Sequence, residues 1–390
     1  MTRESEARAT LEYVRGQRGE FIDVLTALCR AESPSDEPES QRAVHALLRP
    51  LFEELGFDVE IVPAATTGDH FLARPSHRSE GAPSQLLMGH SDTVWPLGTL
   101  GRMPVQVVDG RVEGPGTLDM KGGLTAIVFA LRALKELGLA PALDPVVFIN
   151  ADEEIGSPDS KVHVRRLAEE ATRAFVVEPP LGLDGRLKTA RKGVGNFTVT
   201  LRGRAAHAGL DPRSGASAIG ELSHLVQKLH ALTDHERGIT VNVGRVSGGT
   251  RPNVVAAEAR AEVDVRVVTV ADGEEVESRI RAIVAEDPGV TMDVEGGIRV
   301  PPLERTPRNQ KLWSAAQAAA GEMGFGLDEA LAGGGSDGNT TSLYTATLDG
   351  LGCVGDGAHA DHEHILVDAS LERCALLARL LVAPADPGRE

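Results

Sequence analysis

Metal-capable side chains stand at the ends of three apolar runs that read as strands. His90 closes one run, and Glu178 directly follows another. Between them along the chain, Glu153 and Glu154 follow a third run. Imidazole and carboxylate groups are common metal ligands in proteins. Because ligands of open α/β sheets bind outside the carboxyl ends of the strands, the pattern predicts a metal site at one edge of a sheet.

Asp119 lies in a glycine-dense segment immediately before a predicted helix. An aspartate in this place is commonly a helix N-cap. Small neighbouring residues also let a carboxylate approach a compact cation closely. Together with the residues at the strand ends, this favours a metal ligand over a cap.

A histidine-rich tract near the C-terminus supplies further candidate ligands. Residues 355–364 contain His359, His362 and His364 after a short predicted strand. Histidine-rich tracts bind metals readily, in built sites and adventitiously. We expect one of the three to be a ligand, and the spacing alone does not distinguish them.

The composition excludes several classes of protein. The 390 residues carry 57 Asp and Glu against 40 Lys and Arg, and the net charge of -17 disfavours nucleic acid and anionic membranes as partners. No apolar run approaches the ~20 residues that span a bilayer. Three scattered cysteines argue against a disulfide scaffold. The first thirty residues lack a signal-peptide pattern, which predicts a cytoplasmic protein.

Hydrophobic periodicity divides the chain into two kinds of sequence. Up to residue 188, apolar runs without alternation are spaced by helical segments, which is typical of a sheet covered on both faces. Over 189–300, strictly alternating runs and two helical segments indicate a strand–helix–strand–strand–helix–strand order. We predict an α/β catalytic domain, 1–188 and 301–390, with a mixed sheet flanked by helices. The insertion at 189–300 is predicted to be an α+β domain with a four-stranded antiparallel sheet and two helices.

The same patterns give the individual elements. The predicted helices span 10–29, 39–55, 122–137, 161–169, 216–232, 273–285, 311–322 and 369–381. The predicted strands include 58–62, 85–88, 145–149, 174–177, 197–201, 257–267, 290–294 and 351–354.

Nine short motifs, in order along nearly the whole chain, carry a resemblance to a known family. They are H-S-D at 90–92, G-x-x-D-M-K-G-G at 116–123, D-E-E-I-G-S at 152–157, V-E-P at 177–179, R-A-A-H-A-G at 204–209, N-V-V at 253–255, D-V-R at 264–266, G-G-G-S-D-G-N at 333–339 and G-x-G-x-H-A-D at 355–361. This succession resembles the dinuclear zinc hydrolases that include aminoacylases, acetylornithine deacetylases, succinyl-diaminopimelate desuccinylases and glutamate carboxypeptidases. The glycine cluster and Arg191-Lys192-Gly193 are most similar to the glutamate carboxypeptidase branch.

The resemblance implies two Zn²⁺ ions per chain, with Co²⁺ or Mn²⁺ as alternatives. Asp119 would bridge the two ions. The other ligands of one ion would be His90 and Glu178, and those of the second would be Glu154 and His359.

The resemblance also implies roles for neighbouring residues. Glu153 would be the general base, and Asp92 would accept a hydrogen bond that orients the imidazole of His90. The family has a cis peptide bond after its bridging aspartate, here between Asp119 and Met120.

Substrate contacts are implied in the inserted domain and the glycine cluster. His207 would reach an active site, often that of the partner subunit, and stabilise the oxyanion, with an ordinary turn residue as the alternative. Arg266 would meet the carboxylate side of the substrate, with simple solvent exposure as the alternative. The remaining expected contacts are Asn253 and the backbone of Gly334, Gly335 and Ser336. The inserted domain would also serve as the lid and form a homodimer.

One motif departs from the folate-cleaving glutamate carboxypeptidases. Those enzymes place an arginine directly before a proline at the end of the inserted domain, whereas here Val300 precedes Pro301 and Arg299 stands one position earlier. A slip of one residue on a strand turns the side chain to the opposite face. A preference for glutamate therefore does not follow from the resemblance.

Three functions are compatible with these motifs. The favoured one is a metal-dependent hydrolase that cleaves an amide bond next to a free carboxylate and releases a C-terminal amino acid, with glutamate as one candidate. An N-acyl-amino-acid deacylase is the alternative, and its substrates would also be small. A non-catalytic binding protein is the remote alternative. Such proteins usually lose a metal ligand or the general base, whereas every expected position is filled here.

Overall fold

The computed structural model describes residues 2–79 and 81–385, so residues 1, 80 and 386–390, including both ends of the predicted catalytic domain, lie outside the description. The helices are α1 (Arg3–Gly16), α2 (Arg18–Arg30), α3 (Gln41–Glu54), α4 (Gly122–Glu136), α5 (Lys161–Glu170), α6 (Ala218–His230), α7 (Val270–Arg281), α8 (Pro307–Met323), α9 (Asp337–Tyr344) and α10 (Val367–Val382). The strands are β1 (Phe57–Val62), β2 (His70–Pro75), β3 (Ser84–His90), β4 (Gln106–Val108), β5 (Arg111–Glu113), β6 (Asp144–Asn150), β7 (Ala171–Val176), β8 (Leu187–Arg191), β9 (Gly193–Arg202), β10 (Thr240–Gly248), β11 (Glu258–Val267), β12 (Thr291–Val300), β13 (Glu329–Ala332), β14 (Ala346–Leu348), β15 (Gly355–Asp356) and β16 (His364–Leu366).

A six-stranded mixed sheet forms the centre of the first half of the chain, in the order β1-β2-β6-β3-β7-β14. Strand β3 is parallel to both β6 and β7, whereas β2 is antiparallel to β6. Every residue of β3 is buried. Leu87 packs into the core formed with α2, α4 and α10, and Leu86 and Met88 pack into a second core on the opposite face, beside α5. The prediction of a sheet flanked by helices is confirmed.

The second sheet has four antiparallel strands in the order β10-β11-β9-β12. Alternate residues of β11, from Ala259 to Val267, are buried and pack in one core with α6 and α7. The intervening residues of β11 are exposed or half-buried, as expected for a strand with one covered face. The predicted four-stranded antiparallel sheet with two helices is confirmed.

The chain divides into two compact units. Unit 1 comprises Met1–Thr189, Arg305–Leu331 and Ser336–Glu390, and unit 2 comprises Ala190–Glu304 and Ala332–Gly335. This division assigns Ala332–Gly335 to unit 2, whereas the sequence prediction placed them in the catalytic domain. Among the residues the structure describes, no helix has the length and apolar character needed to cross a bilayer.

Several predicted elements differ from the structure. The single helix predicted over 10–29 is two helices that meet at Gln17, where Gly16 and Gly19 weaken a continuous helix. The strand predicted over 351–354 is wrong, because this buried apolar segment is irregular and lies between β14 and β15. Helix α9 and the small sheet of order β15-β16-β5-β4 were not predicted.

Candidate metal and catalytic site

Three adjacent strands of the central sheet carry the predicted ligands. His90 is the last residue of β3 and lies opposite Asn150, the last residue of β6. Glu153 and Glu154 begin the turn that follows β6, and Glu178 follows β7 closely. Because β3 is parallel to both β6 and β7, the carboxyl ends of the three strands lie at one edge of the sheet and bring these residues together.

Two carboxylates face the imidazole of His90. Its Nε2 atom lies 3.2 Å from Oδ1 of Asp119 and 3.5 Å from Oε1 of Glu178. The His90 side chain is only 1% exposed, so these charged and polar groups meet away from bulk water. Such spacing, with each ligand atom facing a common centre, is suited to holding a cation.

His359 approaches the same aspartate from the other side. Its Nε2 atom lies 3.3 Å from Oδ2 of Asp119 and 3.2 Å from Oε2 of Glu154. His359 has φ 61°, a left-handed conformation that is uncommon for a residue with a side chain. Of the other two histidines of this tract, His364 turns its Nδ1 atom to the carbonyl oxygen of His362 at 2.9 Å. The structure therefore brings His359 to the carboxylates and gives His364 a contact within its own loop.

Asp119 is at the centre of the cluster, with one carboxylate oxygen toward each histidine. The N-cap alternative is wrong, because the N-cap position of α4 is Lys121 and no side-chain bond caps that helix. The cis peptide bond between Asp119 and Met120 is present, as predicted from the family resemblance.

Asp92 connects two parts of the site. Its Oδ1 and Oδ2 atoms accept hydrogen bonds from the backbone N–H groups of Glu153 and Glu154, at 3.2 and 3.1 Å. The Nδ1 atom of His90 lies 2.9 Å from the backbone carbonyl oxygen of Asp92 and 3.4 Å from its Oδ1, and the hydroxyl of Ser35 donates to Oδ2 at 2.7 Å. Through its carbonyl and its fully buried carboxylate, Asp92 can therefore fix the ring of His90 and the start of the Glu153–Glu154 turn together.

Glu153 lies beside the cluster. One carboxylate oxygen of Glu153 and the ligand atoms of His90 and Glu178 all lie within 4.8 Å of one another. Burial, followed by the nearby charge of Glu178, raises the pKa of Glu153 well above its ordinary value. A carboxyl group with a raised pKa is suited to accepting a proton and returning it.

The electrostatic field of the site favours positive charge. Hydrogen bonds to Asp119 and Glu154 raise the pKa of His359 to about 10. Burial opposes the charged form of His90, but hydrogen bonds to Asp119, Asp92 and Glu178 outweigh it and raise its pKa well above the ordinary value. The carboxylates thus stabilise a cation at either position.

The donor set fits divalent zinc. It combines two imidazole nitrogens with carboxylate oxygens, which are ordinary ligands of Zn²⁺ and also suit Co²⁺ or Mn²⁺. In the part of the chain that the structure describes, Oε1 of Glu154 is a buried oxygen with no hydrogen-bond partner. A buried carboxylate oxygen without a donor is costly, and a bound cation would remove that cost.

The predicted substrate-contact residues of unit 2 have their own partners. The Nδ1 atom of His207 accepts hydrogen bonds from the N–H groups of Gly209 and Leu210, at 3.2 and 3.1 Å. This leaves the proton of the neutral ring on Nε2, as a donor. The carbonyl of Asn253 accepts from Ala208 N–H at 3.0 Å, so it lies next to His207 in an exposed tip of the unit.

Arg266 and the glycine cluster make structural contacts. The guanidinium of Arg266 donates to both carboxylate oxygens of Asp264, at 3.0 and 3.1 Å. Arg191 donates to the carbonyl oxygens of Gly334 and Gly335, at 3.2 and 3.0 Å. In unit 1, Ser336 is the N-cap of α9 and donates to Asp349 at 2.7 Å. The predicted roles of these residues toward substrate stay predictions.

Asp337 is a further residue of the site that the sequence analysis missed. Its carboxylate accepts from Nδ2 of Asn150 at 2.6 Å and from the hydroxyl of Ser157 at 2.7 Å. Asn150 and Ser157 flank the turn that bears Glu153 and Glu154. Asp337 belongs to the G-G-G-S-D-G-N motif, which was the available signal.

Comparisons with known proteins agree with this arrangement. Residues 189–291 match the sequence profile of the M20 peptidase dimerisation domain. Carboxypeptidase G2 of Pseudomonas sp. (strain RS-16) is 29% identical over 375 residues, which cover 93% of this chain and 88% of that protein. The chain is therefore similar to M20 peptidases in residues 189–291 and to a carboxypeptidase over most of its length.

Solved structures of M20 peptidases have the same fold. Aminopeptidase PepT from Bacillus cereus is 23% identical with a TM-score of 0.75, and the match covers 93% of this chain and 98% of that one. The M20 family metallo-carboxypeptidase Sso-CP2 from Sulfolobus solfataricus is 16% identical with a TM-score of 0.68, covering 93% and 97%. At these identities the likeness shows a shared fold and no more.

Proposed function

We propose that this protein is a dinuclear zinc carboxypeptidase of the M20 peptidase family. It hydrolyses the amide bond next to a free carboxylate and releases a C-terminal amino acid from a small peptide or acyl-amino acid. The observation that carries the proposal is that Asp119 turns one carboxylate oxygen to His90 and the other to His359. Each of these histidines also faces a second carboxylate, Glu178 beside His90 and Glu154 beside His359.

The proposed ligand sets follow from this arrangement. His90 and Glu178 would hold one Zn²⁺, Glu154 and His359 would hold the other, and Asp119 would contribute one oxygen to each. Bound there, the two ions would polarise the scissile carbonyl and lower the pKa of a water molecule toward ~7.

Residues of the chain transfer the proton and hold the reacting groups in position. Glu153 takes the proton of the attacking water and passes it to the leaving amine. Asp92 keeps the ring of His90 oriented and holds the backbone from which Glu153 extends. His207 donates from Nε2 to the oxyanion, because its Nδ1 is already occupied as an acceptor.

Contacts to the free carboxylate of the substrate are assigned by the proposal to Asn253, Arg266 and the backbone of residues 334–336. Arg266 already forms a bidentate ion pair with Asp264. Binding of a substrate carboxylate there would require the guanidinium to exchange or share that partner, which limits its contribution to affinity.

The similarity to carboxypeptidase G2 favours a carboxypeptidase over an N-acyl-amino-acid deacylase. A substrate panel that pairs N-blocked dipeptides with N-acetyl amino acids, across different C-terminal side chains, separates the two. We expect higher kcat/KM for the dipeptides. A strong preference for the acetyl compounds would instead support the deacylase.

The proposal includes a homodimer formed through unit 2, the region that matches the dimerisation domain. Strand β10 is an edge strand of the four-stranded sheet, and its residues from Arg245 to Gly248 are exposed. Edge strands present unpaired backbone groups that pair readily with a second copy.

The substitution Glu153→Gln tests the mechanism. The amide keeps the size of the side chain but cannot accept the proton, so we expect turnover to fall about 10²- to 10⁴-fold while zinc stays near two ions per chain by elemental analysis. Glu12→Gln, on the exposed face of α1, makes the same chemical change and should leave both values at the wild-type level. Wild-type turnover in the Glu153 variant would contradict the proposal.

A further inference from the structure

The carboxylate of Glu363 is fully buried and accepts four hydrogen bonds. Trp95 Nε1 and Gly116 N–H donate to Oε2, at 2.7 and 2.9 Å. The N–H groups of Leu118 and Asp119 donate to Oε1, at 2.8 and 3.0 Å. The exposed fraction of Glu363 is 0%. Each oxygen therefore has two donors and no contact with bulk water.

These donors come from the segments that carry the proposed ligands. Trp95 follows His90 and Asp92 along the chain, and the turn from Gly116 ends at Asp119. Glu363 itself lies in the loop that begins with His359. The backbone of this loop is tied to the same turn, because Gly114 N–H donates to the carbonyl of Glu363 at 3.0 Å. One side chain thus joins three separate parts of the site.

The donor set matches an ionised carboxylate. A buried carboxylate is costly unless its oxygens are satisfied. An apolar side chain at this position would avoid that cost. The hydrogen bond from the backbone N–H of Asp119 gives a specific reason for a carboxylate here.

We propose that Glu363 is a positioning residue that fixes the Asp119 turn against the His359 loop and so sets the metal affinity of the site. The inference rests on the proposed function, because it takes Asp119 and His359 as ligands of a shared metal pair. It adds a residue that touches neither the ions nor the substrate.

The substitution Glu363→Gln in the full-length chain tests this proposal. A glutamine of the same length places an –NH₂ group where one carboxylate oxygen stood, and there it faces two N–H donors that it cannot satisfy. We expect Zn²⁺ affinity, measured on metal-free protein by competition with a chromophoric chelator, to fall about 10- to 100-fold. We also expect faster amide hydrogen exchange over residues 114–121 in the metal-free protein.

Two further variants separate positioning from general stability. Glu221 is also buried and accepts two backbone N–H bonds, from Glu286 and Asp287, but it lies in unit 2. Glu221→Gln should lower thermal stability and leave Zn²⁺ affinity unchanged. Trp95→Phe removes one of the four donors and should reduce affinity about threefold, which keeps the proposal testable if Glu363→Gln does not fold.

The outcomes separate this inference from the proposed function. The inference is overturned if Glu363→Gln keeps both the wild-type Zn²⁺ affinity and the wild-type hydrogen exchange over residues 114–121. If Glu363→Gln does not fold, the same two results in Trp95→Phe overturn it. If the wild-type chain binds no zinc, the proposed function fails. Faster exchange in the metal-free variant would then still support the role of Glu363 in holding the turn.

Discussion

Asp337 provides a test of how the site is built, because it holds both ends of the turn that carries Glu153. Its two oxygens accept from Asn150 before the turn and from Ser157 after it. Ser157 has φ 56°, so the backbone at this end adopts a conformation that needs support from its surroundings. The substitution Asp337→Asn keeps the shape of the side chain but supplies one acceptor oxygen in place of two.

The expected effects on activity and on stability have opposite signs. The asparagine side chain can accept from only one of the two donors, Asn150 or Ser157, so one end of the turn is released. A displacement of ~1 Å at a reacting group such as Glu153 can cost about 100-fold in rate. We expect kcat to fall about 10- to 100-fold with a smaller change in KM. Stability should rise, because burial raises the pKa of Asp337 from 3.8 to about 6. That difference corresponds to at most about 3 kcal/mol of stability in the metal-free protein at pH 7.

The sign of the pH dependence follows from the raised pKa. The stability that wild type gains from protonating Asp337 is fully present below pH ~4 and is lost as the pH rises through about 6. The neutral asparagine has no such loss. In metal-free protein, the variant should therefore melt close to wild type at pH 4 and above it at pH 7.

Steady-state kinetics at saturating zinc, together with thermal melts at several pH values, measure both effects. Asp328→Asn, at an exposed position of unit 1, is the matched control and should change neither. The reasoning is refuted if Asp337→Asn retains wild-type kcat, or if the variant loses stability relative to wild type as the pH rises.

Other parts of the account make separate predictions. Asp92→Asn should weaken Zn²⁺ binding about 10- to 100-fold in a chelator competition, and a wild-type isotherm would contradict its orienting role. Asp159 accepts four hydrogen bonds from Thr66 and Thr67, which lower its pKa to about 2. Asp159→Asn should therefore cost about 1 kcal/mol at neutral pH, with a gap in melting temperature that closes as the pH falls toward 2. Val246 is 55% exposed on β10, and Val246→Asp should convert a dimer to a monomer by light scattering, whereas an unchanged mass would argue against this interface.

The predictable part of the site depends on where strands end. Apolar runs that stop at His90 or shortly before Glu178 indicate both the strand and the position of the ligand. The alternation from Ala259 to Val267 likewise indicates a sheet with one covered face. These features are local, so a single stretch of sequence contains them.

The part that was missed depends on contacts between distant segments. Glu363 is held by the indole N–H of Trp95 and by backbone N–H groups of the Asp119 turn, and contacts of this kind between distant segments leave no pattern in the sequence. Helix α9 is short and rich in threonine, serine and glycine, and its strongest signal is the capping box formed by Ser336 and Asn339. The apolar run at 351–354 is buried but makes irregular backbone hydrogen bonds, such as Gly352 N–H to the carbonyl of Glu178 at 2.9 Å. Hydrophobic periodicity does not distinguish such a buried segment from a strand.

A crystal structure of the zinc-loaded enzyme, with an anomalous difference map collected at the zinc edge, tests the central claim most directly. We expect two peaks per chain, one contacted by His90 and Glu178, the other by Glu154 and His359, with Asp119 shared between them. A single peak, or peaks away from Asp119, would contradict the dinuclear site.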